Sequence, residues 1–583
     1  MAEESIEQQL DLDNKEWQQA LQIIQYTRHS LFLTGKAGTG KSTFLRYVVQ
    51  HTKKKYVILA PTGIAAINAG GQTLHSFFKL PFHPLLPNDS RYNAKNIRKT
   101  LKYSGITIKL LRELELIIID EISMVRADII DFIDKVLRIY CRNMREPFGG
   151  KQLLLVGDIF QLEPVVKEDE WRLMQPFYAS AYFFDAKVWQ QMQLVSIELR
   201  KVYRQNDAQF IALLDRIRQN QATDQDLAAI NSRVASSQTT PRPHTDNALQ
   251  ITLATRRDTV DWINEQQLSA LDGTATTFRG TIRGEFPLTS LPAPMELEVK
   301  PGAQVIFTRN DKEKRWVNGT IGVVTGIDAD EGLITVCDED GEEYDVGEEV
   351  WENMRYTFDE QEQKIVEQQL GTFIQFPLRL AWAITVHKSQ GLTFRQVKID
   401  FSGGGAFAGG QTYVALSRCT SLQGMTLEEP IRRSDIFVRP EVTAFARRYN
   451  DGQLMHQALS ESKADREYHD AVAAFDRRDF DAFLKNFFLA IHSRYDIEKP
   501  HVQRYIRRKL AVISSQQEHI DTLEQELRRR DDMLKRLAAE YVLLGKECEQ
   551  EQMTEAAIRN YQKALQLYPD AYEARRRMEK LQK

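Results

Sequence analysis

Gly35, Gly38 and Gly40 surround Lys41 and Ser42 in the stretch GKAGTGKS (35–42), which fits GxxxxGK[ST]. The stretch lies between an apolar run, SLFLT, and a helical one, STFLRYVVQ. Glycines let backbone N–H groups approach phosphate oxygens, and the start of a helix adds favourable partial charge. Lys41 would reach the β and γ phosphates, and Ser42 would hold Mg²⁺. Gly35, Ala37, Gly38, Thr39, Gly40, Lys41, Ser42 and Thr43 are therefore the candidate cradle for a nucleoside triphosphate such as ATP. A second cluster is LIIIDE (116–121), an apolar run ending in two carboxylates. Asp120 suits Mg²⁺, at most through water, and Glu121 suits a water that attacks the γ-phosphate. A third, GDIFQL (157–162), offers Gln161. Beside the same pocket its amide would bond the γ-phosphate and sense its loss; elsewhere it is an ordinary loop glutamine.

Those groups meet only if the runs that carry them are neighbouring strands. Alternating apolar and amphipathic segments predict strands at 30–34, 56–60, 116–120 and 153–157 between helices, a mostly parallel sheet covered on both faces. A second α/β set runs from about residue 199 to 438, with strands near 249–255 and 397–401 and helices near 207–218 and 258–271. Inside it, short β-type runs broken by Gly, Asp and Asn (299–376) predict a small barrel insertion. Beyond about residue 449 the sequence is charged and helical, with 3.5-type apolar spacing at Ile520, Leu523, Leu527, Leu534 and Leu537. Its end (543–574) resembles one tetratricopeptide repeat through Gly545, Ala557, Tyr561, Ala564 and Pro569. That end is either a repeat-like hairpin in a helical bundle or a docking module for a protein or nucleic-acid partner.

Composition narrows the class. A 583-residue chain holds several domains, and 42% apolar with 27% charged residues is ordinary for a globular protein. Cys141, Cys337, Cys419 and Cys548 are scattered without metal-type spacing, so neither a zinc module nor a disulfide framework is expected. The acidic opening lacks a secretory pattern and no run is apolar enough for a membrane span, so a cytoplasmic chain is expected, nucleoid-associated in a bacterium. A net charge of −4 means that any nucleic acid is held in a local channel rather than by bulk attraction.

Seven segments, TGKAGTGKSTFLR, APTGIAAINAGGQTLHSFF, IIIDEISMVRADIIDFID, FGGKQLLLVGDIFQLEPV, LRKVYRQND, FPLRLAWAITVHKSQGLTF and YVALSRCTSLQGM, run in this order between residues 34 and 425. In them the chain resembles the petite-integration-frequency (PIF) family of superfamily-one helicases, relatives of the RecD type. The resemblance covers everything except the C-terminal quarter. It implies an α/β fold of two RecA-like parallel-sheet P-loop domains, with a small β-barrel insertion in the second and an all-α C-terminal extension. The corresponding spans are 1–195, with a wedge element at about 79–106, then 196–448 with the insertion, then 449–583.

The resemblance also implies roles. Gln18, with Gln19 as its rival, would read adenine; Arg204 and Arg418 would be arginine fingers supplied to a nucleotide held by the first domain; Gly391 would line the nucleotide side. An arginine in that role is worth roughly 10³ to 10⁵ in rate. Thr62, His75, His387 and Ser389 would line a single-strand channel by phosphate contacts that read no sequence. The segment 91–105 has five Lys or Arg and no acid. There Arg98 and Lys99 would belong to a duplex-splitting wedge or to a solvated helix face. In the insertion, Arg315 and Trp316 combine charge with a ring on which a base could stack, although Asp311 and Glu313 lie beside them. Phe77, Phe78 and Trp382 are stacking candidates or core, and Trp382 reads as core. The implied activity is ATP-dependent 5′-to-3′ translocation on single-stranded DNA with unwinding of forked or structured DNA, by a monomer with ATP and Mg²⁺. A helicase of opposite, UvrD-like polarity is the enzyme rival. A repair scaffold whose ATP site only switches its shape is the rival of another class.

Overall fold

Strands covered on both faces read as unbroken apolar runs, and the first sheet is built of such runs. In the computed structural model, which describes residues 14–582 except 82, 204–206, 235–248, 363, 403–404 and 407, the strands are β1 (Leu31–Gly35), β2 (Tyr56–Ala60), β3 (Gln72–Thr73), β4 (Leu116–Ile119), β5 (Gln152–Val156) and β6 (Val195–Leu199). They form one six-stranded sheet in the order β3-β2-β4-β5-β1-β6, all parallel. Successive side chains point to opposite faces. Leu31 and Leu33 join Trp17, Phe44 and Val48 in one layer, while Phe32, Ile117 and Leu153 join the helix Ala127–Tyr140 in the other. The order places β4, β5 and β1 side by side, so the three segments that carry chemistry leave one edge of the sheet together.

The second sheet is parallel too. Its four strands lie in the order Ala383–Thr385, Gln250–Ala254, Gln396–Asp400, Met425–Leu427. Phe210, Leu213, Leu214 and Ile217 of the helix Ala208–Arg218 pack on it. Between its strands lies antiparallel structure that begins earlier than the sequence pattern indicates, at Thr276. It comprises a five-stranded sheet from Gln304 to Leu380, a two-stranded pair and a long hairpin, Glu349–Asp359 with Lys364–Gln375, joined by Thr281–Gly284. The hairpin reaches the first sheet: Tyr356 and Phe358 are buried in that sheet's core, and the Tyr356 hydroxyl oxygen accepts from the Ile58 N–H at 3.2 Å.

The segment expected to form a wedge packs against the first core. Tyr92, Ile97, Leu101 and Tyr103 are buried in the first core.

Residues up to Asp470 form one compact unit, and those from Ala471 a second. The first therefore includes much of the helix Gly452–Asp476, because Met455, Ala458 and Leu459 pack on the first sheet's core. Ser462 also donates to the Gln22 carbonyl at 3.1 Å. In the second unit the helices Thr554–Leu567 and Tyr572–Leu581 pack on the end of the helix Pro500–Gln550 around Ala557, Tyr561, Ala564 and Ala574. Gly545 leaves room for the Tyr561 ring, since a Cβ there would lie 2.4 Å from it. No helix among the described residues is long and apolar enough to cross a membrane.

Candidate functional site

The loop after β1 turns into the helix Lys41–His51 through Gly40, whose φ of 85° suits glycine and caps that helix. A side chain at Gly35 would meet the Leu199 carbonyl at 2.7 Å, so the loop lies tight against β6. Lys41 Nζ donates to the carbonyls of Gly35 at 2.7 Å and Lys36 at 2.9 Å, and burial lowers its pKa. Thr39 is buried with its hydroxyl on the Lys36 carbonyl at 3.0 Å. Ser42 is exposed at the first turn and Thr43 half-buried behind it. Trp17 packs edge-on against Phe44 at 5.1 Å, so the helix Lys15–Tyr26 is fastened to the loop's own helix. Gln18 lies exposed on it, with Gln19 half-buried beside it.

At the end of β4, Asp120 Oδ1 accepts from the Glu121 N–H at 2.9 Å, and Glu121 has a left-handed φ of 49°. Burial raises the pKa of Asp120, and it raises Glu121 to about 7 with the neighbouring Asp120 adding to the effect. At the end of β5, Gln161 Nε2 donates to Asp158 Oδ2 at 3.4 Å. Gln390, which the sequence reading passed over inside TVHKSQG, connects the two strand ends. Its Nε2 donates to Glu121 Oε2 at 2.7 Å and to Gln161 Oε1 at 3.4 Å.

The second lobe closes the site from its other wall. Tyr413 Oη accepts from the Ala37 N–H at 3.3 Å, and Lys36 is ion-paired with Asp215. A Cβ on Gly410 would lie 2.1 Å from the Gln161 carbonyl, so the lobes touch there. Arg418 is buried and its guanidinium donates to the carbonyls of Val414, Ser389 and Leu392 and to the Ser417 hydroxyl. Its charge still reaches Glu121, whose pKa it lowers against the dominant effect of burial. Gly391 follows Gln390 with a φ of 82°, and a Cβ there would meet nothing within 4 Å. Arg204 lies outside the described residues.

A second missed residue is Arg218, buried at the end of the helix Ala208–Arg218 and paired with Asp158. It sits four residues after Leu214 on the buried stripe, and a charge on an apolar stripe was the available signal.

The expected nucleic-acid contacts divide. Thr62 is exposed and caps the helix Gly63–Ala69, accepting from the Ala65 N–H at 3.3 Å. His75 and His387 are half-buried, and burial lowers both pKa values, so both imidazoles are neutral at pH 7. Lys388, not singled out from sequence, stands beside His387 near Arg379 and Arg257. Arg98 and Lys99 are exposed, with Arg98 tied to the Ile139 carbonyl at 3.2 Å.

Three expectations need correction. Ser389 is buried with its hydroxyl donating to the Val386 carbonyl at 2.7 Å, so it shapes its turn rather than facing a channel. Trp316 is core, stacked on Phe307 at 4.6 Å and only 6% exposed, so no base can stack on it. Arg315 covers that ring and is held by Asp311 at 2.9 Å, which offsets its charge. Phe77 and Phe78 are core as well.

A family model described as PIF1-like helicase matches residues 9–227. A Bdellovibrio bacteriovorus protein named ATP-dependent DNA helicase Pif1 is 32% identical over 428 residues, covering 72% of this chain and 88% of its own length. The human protein named ATP-dependent DNA helicase PIF1 is 35% identical over 410 residues, 68% of this chain but 58% of the human one. The chain thus spans little more than half the length of the mammalian relatives it matches. The crystal structure of a Bacteroides Pif1 in complex with ADP-AlF4 superposes with a TM-score of 0.68 at 38% identity, covering 75% of this chain and 97% of that one. The Candida albicans Pif1 helicase superposes with a TM-score of 0.55 at 30% identity, covering 74% and 98%. The two parallel sheets, the glycine loop between β1 and its helix, and the carboxylates and glutamines gathered beside that loop accord with these matches: the chain belongs to the PIF1-like helicase family.

Proposed function

We propose that the chain is an ATP-driven motor that moves 5′ to 3′ on single-stranded DNA and unwinds forked or structured DNA in genome maintenance. The observation that carries this is the convergence of Glu121 and Gln161 from one lobe with Gln390 from the other beside Lys41. A site assembled from both lobes is sensitive to their separation. A Bacteroides Pif1 has been crystallised bound to single-stranded DNA, and another solved structure concerns DNA unwinding at forked double-stranded DNA by two coordinating Pif1 helicases, which supports the choice of substrate.

In this reading the loop 35–42 holds the phosphates of ATP by backbone N–H groups, and Lys41 exchanges its carbonyl partners for the β and γ oxygens. Glu121 orients and deprotonates the attacking water, and Gln161 and Gln390 bond the terminal phosphate and register its loss. Ser42 and Asp120, a hydroxyl and a carboxylate, are a donor set that would suit Mg²⁺, Asp120 at most through water. Bound there, it would neutralise phosphate charge. Arg418 and Arg204 act as fingers once the closing lobes bring them to the phosphates, and Gln18 reads adenine. Loss of the terminal phosphate releases the lobes, and a strand gripped in turn by Thr62 and His75 on one side and His387 on the other advances.

The reading keeps the RecA-like domains at 1–195 and 196–448, the five-stranded antiparallel sheet as a small barrel, and Arg98 and Lys99 on a wedge at 79–106. It makes the chain a cytoplasmic monomer, nucleoid-associated in a bacterium, with a protein partner for the helices after residue 449. The test is unwinding of matched duplexes with a 5′ or a 3′ single-stranded tail in the presence of ATP. Separation of the 5′-tailed duplex alone is expected. Separation of only the 3′-tailed one would reverse the direction, and separation of neither beside intact ATP turnover would leave a switch in place of a helicase.

A further inference from the structure

Asp158 has no part in the water attack, yet it faces the phosphate pocket. Of the charges around Lys41 its charge acts on that lysine most strongly, and it also accepts from the Gln161 amide at 3.4 Å. Its side chain is 0% exposed and that of Arg218 is 2% exposed. Arg218 Nη2 donates to Asp158 Oδ1 at 2.9 Å and Nε to Oδ2 at 3.2 Å, so both carboxylate oxygens are taken by one fork. Arg218 itself is fixed by a third bond, Nη1 to Glu198 Oε1 at 3.2 Å, and by the Phe160 ring 4.3 Å from its guanidinium.

Without its partner, a buried carboxylate at this place would repel a terminal phosphate, hold Lys41 away from it and keep the Gln161 N–H for itself. We propose that Arg218 is a positioning residue that neutralises Asp158, so that the pocket accepts a third phosphate and Gln161 and Lys41 are left to bind it. The pair joins the two lobes, Asp158 standing on the first and Arg218 on the second. Acceptance of the γ-phosphate is thereby conditional on the lobes meeting at this seam. One turn earlier on the same helix, Asp215 pairs with Lys36 of the loop, so one helix end grips both walls of the pocket. The inference rests on the nucleotide reading of the site but not on turnover or on DNA.

The test is titration of the full chain with a fluorescent non-hydrolysable ATP analogue and with the matching ADP, in the wild type, Arg218→Gln, Arg218→Lys and Asp158→Asn/Arg218→Gln. Arg218→Gln weakens the ATP analogue about ten-fold or more relative to ADP, because only the third phosphate meets the freed carboxylate. Arg218→Lys keeps the charge without the fork and recovers part of the ratio. The double variant carries neither charge and returns the ratio to within about two-fold of wild type. It leaves no unpaired charge at Asp158, and the one carboxylate that loses its partner, Glu198, is partly exposed to water, so it decides the matter even where Arg218→Gln fails to fold. An equal loss of both nucleotides in Arg218→Gln, or a double variant whose ratio stays low, would mean that Arg218 only holds the fold and would overturn the inference. A wild type that binds neither nucleotide would overturn the nucleotide site and the inference together.

Discussion

In the proposed mechanism Lys41 and Glu121 carry most of the chemistry, and loss of either should stop turnover without loosening the grip on DNA. In that mechanism Lys41→Ala would remove the cation that meets the phosphates, and Glu121→Gln would keep the shape of the water-orienting group while removing its basicity. Each should abolish DNA-stimulated ATP turnover while single-strand binding, measured by fluorescence anisotropy, stays within a few-fold of wild type. Normal turnover in either would refute its role. Lys388 gives a prediction in pH. Its pKa is lowered to about 8, first by partial desolvation of a side chain that still reaches solvent and then by the charges of Arg379 and Arg257. It is therefore a cation at pH 7 and largely neutral at pH 9, and if Lys388 lies on the proposed track it would hold a strand phosphate only in the first state. Affinity for single-stranded DNA should fall as pH rises through about 8, and the slope of log affinity against log salt should shrink by about 0.7 if one phosphate contact is lost. Lys388→Arg should remove both effects, and an unchanged pH profile in that variant would take Lys388 off the track. His387 and His75 contribute nothing to this window, because burial keeps them neutral throughout it.

At the scale of elements, what the sequence revealed depended on whether a signal was local. The strand β2 lies at 56–60 as the apolar run predicts, and Gly40, Lys41 and the strand before them are a contiguous word. Gln390 stood inside a quoted motif yet its role was hidden, because its partners Glu121 and Gln161 are far away in the chain. Trp316 misled for the opposite reason: a ring among charges reads as surface, while the fold turns it onto Phe307. The long hairpin was equally illegible, since Tyr356 and Phe358 alternate with polar residues as on any half-exposed strand, and nothing local says that their covering layer is the first sheet. That packing is testable. Tyr356 is 7% and Phe358 3% exposed, and Lys109 lies 5.0 Å from the Phe358 ring. Truncation of each to alanine should cost about 3–5 kcal/mol in denaturant unfolding of the transition that contains the first sheet. A loss under about 1 kcal/mol for both would mean that the hairpin tip is a surface feature.

For the whole molecule the decisive boundary is where the motor ends. The change of sequence character near residue 449 invites a cut there, but the chain beyond it first finishes the lobe it returns to. Ala458 is buried in the core beside Trp17 and Val48, Met455 and Leu459 flank it, and His29 Nε2 lies 2.6 Å from Glu461 Oε2. A chain cut at 449 would expose that apolar face, which also supports the helix carrying Gln18, whereas a chain cut after Asp470 removes only the second compact unit. Burial of several such side chains is worth roughly 1.5–3 kcal/mol each, a large share of the stability of any domain. The chain 1–470 should therefore keep DNA-stimulated ATP turnover and a melting temperature close to that of the full protein's motor transition. The chain 1–449 should melt several degrees lower, lose turnover or aggregate. Equal behaviour of the two would show that the 450–470 segment is packing without consequence. Loss of turnover in a folded 1–470 chain would show instead that the helices after Ala471 belong to the motor.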